Sequence, residues 1–317
     1  MKNDTSQRTK KEDRRMKNDT SQRTKKEENA ENKLKNALSA PQKAIVQAID
    51  VNGNGEIDIE DIIALGMRVP GIRVNREDFL RREFMKNHPE NVVDKIVQLN
   101  PAQAKINPRE VDKLADEVIK FERNCVSGIS AALGMPGGIA MVGTIPADLA
   151  QYYGYLLRAT QKLMYLYGFQ QIDTGNEKAM MDSETMNILI LCMGVMSGVQ
   201  GANTALKTMA NALGRGVEQR LLRFSLTKGT IYPIVKSVSK WFGVRMSKQI
   251  YAGFFRKAIP VVGGALGGGI TFFTFKPCCD RLKDALKDTY LSNPLYHETE
   301  EEKELNKKIE VEYKEID

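Results

Sequence analysis

The sequence predicts an all-α protein, in which a bundle of glycine-rich helical hairpins follows one helix–loop–helix unit and several short helices. Three observations predict this fold class. Helix caps and prolines punctuate the first half of the chain, and no segment shows the apolar–polar alternation of a strand. In addition, 13 of the 25 glycines fall in three long segments that contain no charged residue.

Composition divides the 317 residues into five parts. Residues 1–36 contain a duplication, in which residues 1–12 recur as residues 16–27, and this polar segment has too little apolar content to fold. It is predicted to be disordered, and Met16 is an alternative start to Met1. The other predicted parts are a helix–loop–helix at 37–72, a helical connector at 73–123, the glycine-rich helical domain at 124–290 and an acidic tail at 291–317.

Residues 50–61 match the calcium loop of an EF-hand. Oxygen donors alternate with other residues, which lets the backbone wrap around a hard cation. The predicted Ca²⁺ ligands are the side chains of Asp50, Asn52, Asn54, Asp58 and Asp61 and the backbone carbonyl of Glu56. Gly55 lies at the sixth position, where the loop turns with positive φ. Apolar residues on both sides have helical spacing, so an entering and an exiting helix are expected.

The last loop position departs from the EF-hand pattern, because Asp61 stands where Glu is usual. The shorter side chain reaches the metal less well, which weakens Ca²⁺ binding and makes Mg²⁺ a better competitor. Dockerin-type loops, which the segment also resembles, end in Asp. The alternative interpretation is a relic loop that serves only as a turn. No second loop is found, so the apolar Ile57 is expected to pair with a second copy of the chain in a homodimer or to do without a partner.

Three short helices are predicted after the loop from their caps. Asn75 precedes the first helix as its N-cap, with Asp78 in a capping box. The second helix is expected at 92–99, and Pro108 opens the third. Val111, Leu114, Val118 and Phe121 are predicted to form one apolar stripe on this third helix.

The charge-free segments cover residues 124–147, 185–206 and 258–275. Their lengths approach the ~20 residues of a membrane-spanning helix, and their small-xxx-small glycine spacings favour close helix packing. Pro136, Gly137 and Gly138 interrupt the first segment. We therefore favour buried helical hairpins over permanent spans, in agreement with the mean hydropathy of −0.38.

A basic block occupies residues 201–260, with 11 Lys and Arg residues against Glu218 alone. Cations that alternate with aromatic residues beside an apolar segment are typical of a surface that contacts anionic lipid. The predicted lipid-facing residues are Lys236, Lys240, Lys248, Arg256 and Lys257. The competing interpretation is a nucleic-acid binder that uses residues 207–257. It is less favoured, because no recognition motif accompanies the cations.

About two thirds of the chain resembles the EcsC family of bacterial proteins. The motifs that carry the resemblance are Gly-Met-Pro-Gly-Gly at 134–138, Ile-Pro-Ala-Asp-Leu at 145–149, Tyr-Gly at 167–168 and Lys-Ala-Ile-Pro-Val-Val-Gly-Gly at 257–264. The family is named after a gene that accompanies an ABC transporter, and no reaction is established for it. The resemblance implies a helical, membrane-associated protein, with a membrane transporter as a partner.

Catalytic motifs are sparse. The two histidines, His88 and His297, lie far apart in the sequence, and no nucleophile, phosphate-loop or zinc-protease motif is present. Asp148 is the one carboxylate beside an apolar run, and as the third residue of a helix opened by Pro146 it is predicted to interact with the helix dipole. An enzyme built around Asp148 is the alternative to a non-catalytic protein.

The four cysteines are too few and too unevenly spaced for a disulfide framework, which predicts free thiols. The charged N-terminus does not resemble a signal peptide. The sequence therefore predicts a non-enzymatic, calcium-binding cytoplasmic protein of the EcsC type, peripheral to the inner face of the cell membrane.

Overall fold

The computed structural model describes residues 46–133, 141–172, 181–217, 219–243 and 263–314. Residues 46–49 form a helical turn, and the helices after it are α1 (Ile59–Met67), α2 (Arg76–Phe84), α3 (Glu90–Gln98), α4 (Pro108–Leu133), α5 (Met141–Leu166), α6 (Ser183–Met196), α7 (Ala202–Gly214), α8 (Gln219–Thr227), α9 (232–243), α10 (Gly263–Lys287) and α11 (Glu300–Lys314). The described part contains no strand. The all-α prediction is therefore confirmed. The duplicated N-terminal segment and the glycine motif at 134–138 lie outside the described residues.

Helix α6 lies in the core of the bundle. Every residue from Asn187 to Met196 is buried, and the helix packs against α7, α8, α10 and α1. The turn into α7 contains Gly198 and Gly201, whose φ angles are +71° and +82°. The charge-free segment 185–206 thus contains most of the buried helix α6, the turn and the start of α7, so the expected hairpin is completed by residues 207–214. Among the helices that the structure describes, none combines the length and apolar character needed to cross a membrane.

The predicted helix starts are found at α2 and α4. The Asn75 side chain accepts a hydrogen bond from the Asp78 amide at 2.9 Å, and α4 begins at Pro108. The predicted apolar stripe of α4 is confirmed only in part, because Phe121 is 57% exposed. The buried face is turned by about one residue, so that Glu122 faces the core in its place.

The side chain of Arg76 joins three segments of the fold. Its guanidinium donates hydrogen bonds to the backbone carbonyls of Val97 at 2.6 Å, Leu99 at 3.1 Å and Phe169 at 2.9 Å. Arg76 is buried, and this desolvation lowers its pKa. The charge is thus satisfied by carbonyl oxygens at the C-terminal end of α3 and in the loop after α5.

Within the acidic C-terminal segment, residues 300–314 form α11, which packs against α7 and α8. Ile309 is buried, and so is Glu302. The Glu302 carboxylate accepts hydrogen bonds from the Tyr296 hydroxyl at 2.9 Å and from Asn211 Nδ2 at 3.2 Å. Polar partners on neighbouring elements therefore hold part of the acidic charge against the bundle.

Candidate functional site

The predicted calcium loop lies between the helical turn at 46–49 and α1. Gly55 adopts a φ of +80°, as the motif predicts, and Gly53 also has a positive φ of +72°. A Cβ atom on either glycine would meet no atom within 4 Å, so backbone conformation, not space, favours glycine at both positions.

Three donor side chains converge inside the loop. Asn52 Nδ2 and Asn54 Nδ2 donate hydrogen bonds to the same oxygen, Asp58 Oδ2, at 3.2 Å and 3.1 Å. The carboxylate of Asp50 lies inside the same turn, where it accepts hydrogen bonds from the amides of Asn54 at 3.1 Å and Gly55 at 2.8 Å. Four of the predicted ligands therefore line one small, partly exposed cradle.

Asp61 has a different environment from the other predicted ligands. Its Oδ1 accepts hydrogen bonds from the amides of Val51 at 2.9 Å and Asn52 at 3.1 Å, and its Oδ2 accepts one from the Asp58 amide at 3.1 Å. Asp58 in turn accepts from the Asp61 amide at 2.9 Å, which completes a capping box at the start of α1. Asp61 is only 1% exposed, and burial raises the pKa of its carboxyl group. The Asp61 carboxylate therefore connects residues 51 and 52 at the start of the loop with Asp58 near its end.

Four side chains of the loop could supply oxygen atoms to a hard divalent cation. In the part of the chain that the structure describes, no three Asp, Glu, His or Cys side chains are grouped as a metal site, and the cradle depends on its two asparagines. Their amide N–H groups point at Asp58, while the Oδ1 atoms of Asn52 and Asn54 accept hydrogen bonds from the backbone amides of Asn54 at 3.0 Å and Glu56 at 2.7 Å. A cation between these side chains would replace the two contacts with Asp58, and each Oδ1 atom would have to turn toward the cation. Asp50, Asn52, Asn54 and Asp58 would then supply side-chain oxygens, with the carbonyl of Glu56 as a further donor.

The loop is fixed to the rest of the bundle by its apolar residues and by Glu60. Ile57, for which the sequence predicts a partner or none, is buried within this chain. Ile59, Ile62 and Ile63 of α1 are fully or almost fully buried. Glu60, in the first turn of α1, accepts a hydrogen bond from Ser239 Oγ of α9 at 3.0 Å, and burial raises the pKa of this carboxyl group. The loop therefore contacts the helix that carries part of the basic block.

The five predicted lipid-facing residues divide into two groups. Lys236 and Lys240 lie exposed on α9, and Lys236 Nζ lies 5.0 Å from the centre of the Tyr232 ring. Lys248, Arg256 and Lys257 lie outside the described residues. The aromatic residues next to Lys240 do not form an exposed surface with it, because Phe242 is buried and Trp241 is half-buried with its ring against Phe242.

Other cations of the basic block have acidic or aromatic neighbours. Arg215 pairs with Glu298 at 2.8 Å, and Arg223 pairs with Glu184 at 2.7 Å. Lys207 Nζ lies 5.5 Å from the centre of the Tyr296 ring. Part of the excess positive charge in the sequence is therefore neutralised by contacts within the fold.

The predicted role of Asp148 requires a correction. Helix α5 begins at Met141, five residues before Pro146, so Asp148 does not lie in its first turn. Pro146 is the sixth residue of α5 and lies beyond its first turn, so its missing amide removes one helical hydrogen bond. The side chain of Asp148 lies outside the described residues. Of the two histidines, His88 has its Nε2 atom 2.9 Å from Oε1 of Glu110.

A buried ion cluster was missed by the sequence analysis. Glu122 of α4 is fully buried and contacts Arg158 at 2.6 Å and Lys162 at 2.6 Å, both on α5. Charged residues on a helix usually form its exposed polar face, but the side chains of these two cations are only 17% and 11% exposed. Their spacing of four residues was the available signal, because it places both charges on one face of α5.

Comparison with protein-family models, with curated proteins and with solved structures found no match to this chain. The resemblance to the EcsC family therefore stays a prediction from the sequence motifs.

Proposed function

We propose that the protein binds one divalent cation in the loop at 50–58, with Ca²⁺ as the preferred ion and Mg²⁺ as a competitor. The observation that carries the proposal is the convergence of Asn52, Asn54 and Asp58 at one point, with the Asp50 carboxylate beside them. Asp61 would act by holding the loop closed, as its three backbone partners suggest.

The proposed role of the cation is non-catalytic. The loop continues into α1, whose isoleucines are part of the core, and Glu60 links α1 to Ser239 of α9. Any ligand that binds the folded loop and not the unfolded chain stabilises the fold by RT ln(1 + [L]/Kd). Ca²⁺ should therefore stabilise the whole bundle and the attachment of α9.

The proposal is tested by calorimetry with Ca²⁺ and with Mg²⁺. We expect one Ca²⁺ per chain, no saturable heat in Asp50→Ala, and unchanged binding in Glu304→Gln, which removes an exposed carboxylate from α11. Circular dichroism should give equal helix content for the three proteins. Wild-type protein with no saturable heat, or Asp50→Ala that binds as wild type does, would overturn the proposal.

A second proposed function is association with an anionic membrane, as expected for an EcsC-type protein at the inner face of the cell membrane. The observation that favours it is an exposed aromatic side chain on the charge-free segment 258–275, because Phe273 is 75% exposed. A transporter partner and a homodimer remain predictions from the sequence. The nucleic-acid alternative is weakened by the ion pairs of Arg215 and Arg223, and the enzyme alternative rests on Asp148 alone.

A further inference from the structure

Helices α4 and α10 run side by side in opposite directions, and theirs is the most extensive helix packing in the described part of the chain. Two contacts define the direction. Asp116 of α4 pairs with Lys283 of α10 at 2.6 Å, and further along, the guanidinium of Arg123 lies 3.9 Å from the centre of the Phe272 ring. The C-terminal part of α4 therefore lies beside the N-terminal part of α10.

This antiparallel arrangement brings two charge-free sequences together. Beyond the level of Arg123 and Phe272, residues 124–133 of α4 and 263–271 of α10 contain no Lys, Arg, Asp or Glu. Ten helical residues extend for about 15 Å. We call these two ranges the uncharged end. α5 also runs antiparallel to α4, since Tyr167 contacts Asp112 and Arg158 contacts Glu122, and it adds one charge to this region, Asp148.

The parts of α4 and α10 that adjoin the uncharged end carry many charged residues. Lys120 and Lys276 are exposed there, and Arg123 is half-buried. Lys276 contacts Asp280 at 2.7 Å. One pocket at this level is lined by four cations and three carboxylates, namely Lys120, Arg123, Lys276, Lys283, Asp116, Asp280 and Asp284. Positive charge therefore exceeds negative charge by one beside the uncharged end.

Two aromatic side chains lie at this boundary. Phe272 is 38% exposed and Phe273 is 75% exposed, and their ring centres are 5.7 Å apart. Neighbouring exposed aromatic residues expose apolar surface that folding has not buried, and such surface marks an interaction site. Aromatic rings beside cations suit the boundary between lipid headgroups and acyl chains.

We infer that Phe272 and Phe273, at the border of the uncharged end, enter the interface of an anionic phospholipid bilayer as apolar anchors, with Lys120, Arg123 and Lys276 near the lipid phosphates. This inference rests on the proposed membrane association and assigns it to a surface that is separate from Lys236 and Lys240 on α9. Charge complementarity selects the anionic lipid, since each cation near such a surface contributes ~1 kcal/mol.

The test is co-sedimentation of the full chain with phosphatidylcholine vesicles, with and without phosphatidylglycerol. Wild-type protein should bind only vesicles that contain phosphatidylglycerol. Phe272→Ser/Phe273→Ser should weaken this binding roughly tenfold or more, because each ring loses its apolar burial. Lys120→Gln/Arg123→Gln should also bind more weakly. Phe121→Ser is the matched control, since Phe121 is an exposed phenylalanine of α4 beside Lys162 and away from Phe272, and its binding should equal wild type.

The outcomes separate the two proposals. If wild-type protein does not co-sediment with phosphatidylglycerol vesicles, the proposed membrane association itself is wrong. Wild-type binding that survives in Phe272→Ser/Phe273→Ser and falls in Lys236→Gln/Lys240→Gln would overturn only the assignment to the uncharged end. If the phenylalanine variant instead converts a dimer to a monomer in solution and vesicle binding is unchanged, the aromatic pair is a contact between copies of the chain and the inference is wrong. Thermal melts of each variant identify any loss of fold.

Discussion

Gly66 of α1 and Gly154 of α5 bring the backbones of their helices into direct contact. A Cβ atom on Gly66 would lie 3.0 Å from the backbone nitrogen of Gly154, and a Cβ atom on Gly154 would lie 3.0 Å from the carbonyl oxygen of Gly66. The helix that follows the proposed cation loop is therefore fixed to a central helix of the bundle through two residues without side chains.

This contact predicts that alanine is not tolerated at Gly154, although alanine favours helices. We expect Gly154→Ala to lower the free energy of unfolding by ~1–3 kcal/mol, since two packed backbones cannot separate without cost. The control is Gly128→Ala in α4, where a Cβ atom would meet nothing within 4 Å and helix propensity should raise stability by ~0.5–1 kcal/mol. Urea unfolding measures both, and stabilisation by Gly154→Ala would contradict the close approach.

Asp61 and Asp78 occupy the third position of their helices but differ in burial, which predicts a difference between two identical substitutions. Asp61→Asn places an N–H donor among three backbone N–H groups, and we expect a loss of ~1–3 kcal/mol. Asp78→Asn, at an exposed position, should cost less than ~1 kcal/mol, the usual contribution of a charge at a helix start. The measurement is urea unfolding without divalent cations, and equal costs would show that Asp61 acts only as a helix-start charge.

The pairing of Glu122 with two cations predicts a large effect of neutralising this carboxylate. Glu122→Gln should lower the free energy of unfolding by ~3 kcal/mol or more, because it leaves Arg158 and Lys162 without their charged partner inside the protein. Replacing all three residues by methionine should recover most of the loss. Glu77→Gln, which breaks the exposed contact with Arg81, should cost less than ~1 kcal/mol. A similar cost for Glu122→Gln and Glu77→Gln would count against the buried cluster.

The cysteines predict a pattern of chemical labelling. All four are free, but Cys192 and Cys279 are fully buried while Cys125 and Cys278 are half-buried. Burial raises the pKa of Cys192 to about 12 and that of Cys279 well above its ordinary value. Alkylation at about pH 8 should therefore modify Cys192 and Cys279 only after unfolding, since the thiolate is the reactive form. Peptide mass mapping with and without urea measures this, and prompt labelling of Cys192 in the folded protein would contradict it.

The same pKa shift predicts a loss of stability in alkaline solution. Between the ordinary thiol pKa of 9.0 and the raised value of about 12, the folded state holds more protons than the unfolded state. The free energy of unfolding should therefore fall as the pH rises through this window. Cys192→Ala should show a shallower decline in pH-dependent urea unfolding, and an equal slope would show that Cys192 does not contribute.

Features determined by neighbours in the chain were predictable from the sequence. The N-cap at Asn75, the helix start at Pro108 and the positive φ of Gly55 depend on local backbone requirements that the residue types reveal. The charge-free segment 185–206 was also predictable as a buried hairpin, since its composition and its turn glycines agree.

Features determined by residues far apart in the chain were not predictable. The two partners of Glu122 lie 36 and 40 residues away on another helix, and α11 packs against α7 and α8, so no local pattern reveals either arrangement. Within the loop, a carboxylate at the third position of α1 suits both a metal ligand and a helix cap. The spacing alone did not reveal the hydrogen bonds that Asp61 accepts from the amides of Val51 and Asn52.

The three carbonyl contacts of Arg76 have a consequence for the order in which the protein opens. Because one guanidinium of α2 binds the end of α3 and the loop after α5, α2 cannot leave both of them without exposing three carbonyls and the buried charge, and the α2–α3 pair cannot leave α5 without breaking the contact with Phe169. The α2–α3 pair should therefore open together with α5 as one cooperative unit in hydrogen exchange. Arg76→Met should uncouple them, so that amides of α2 and α3 exchange before those of α5.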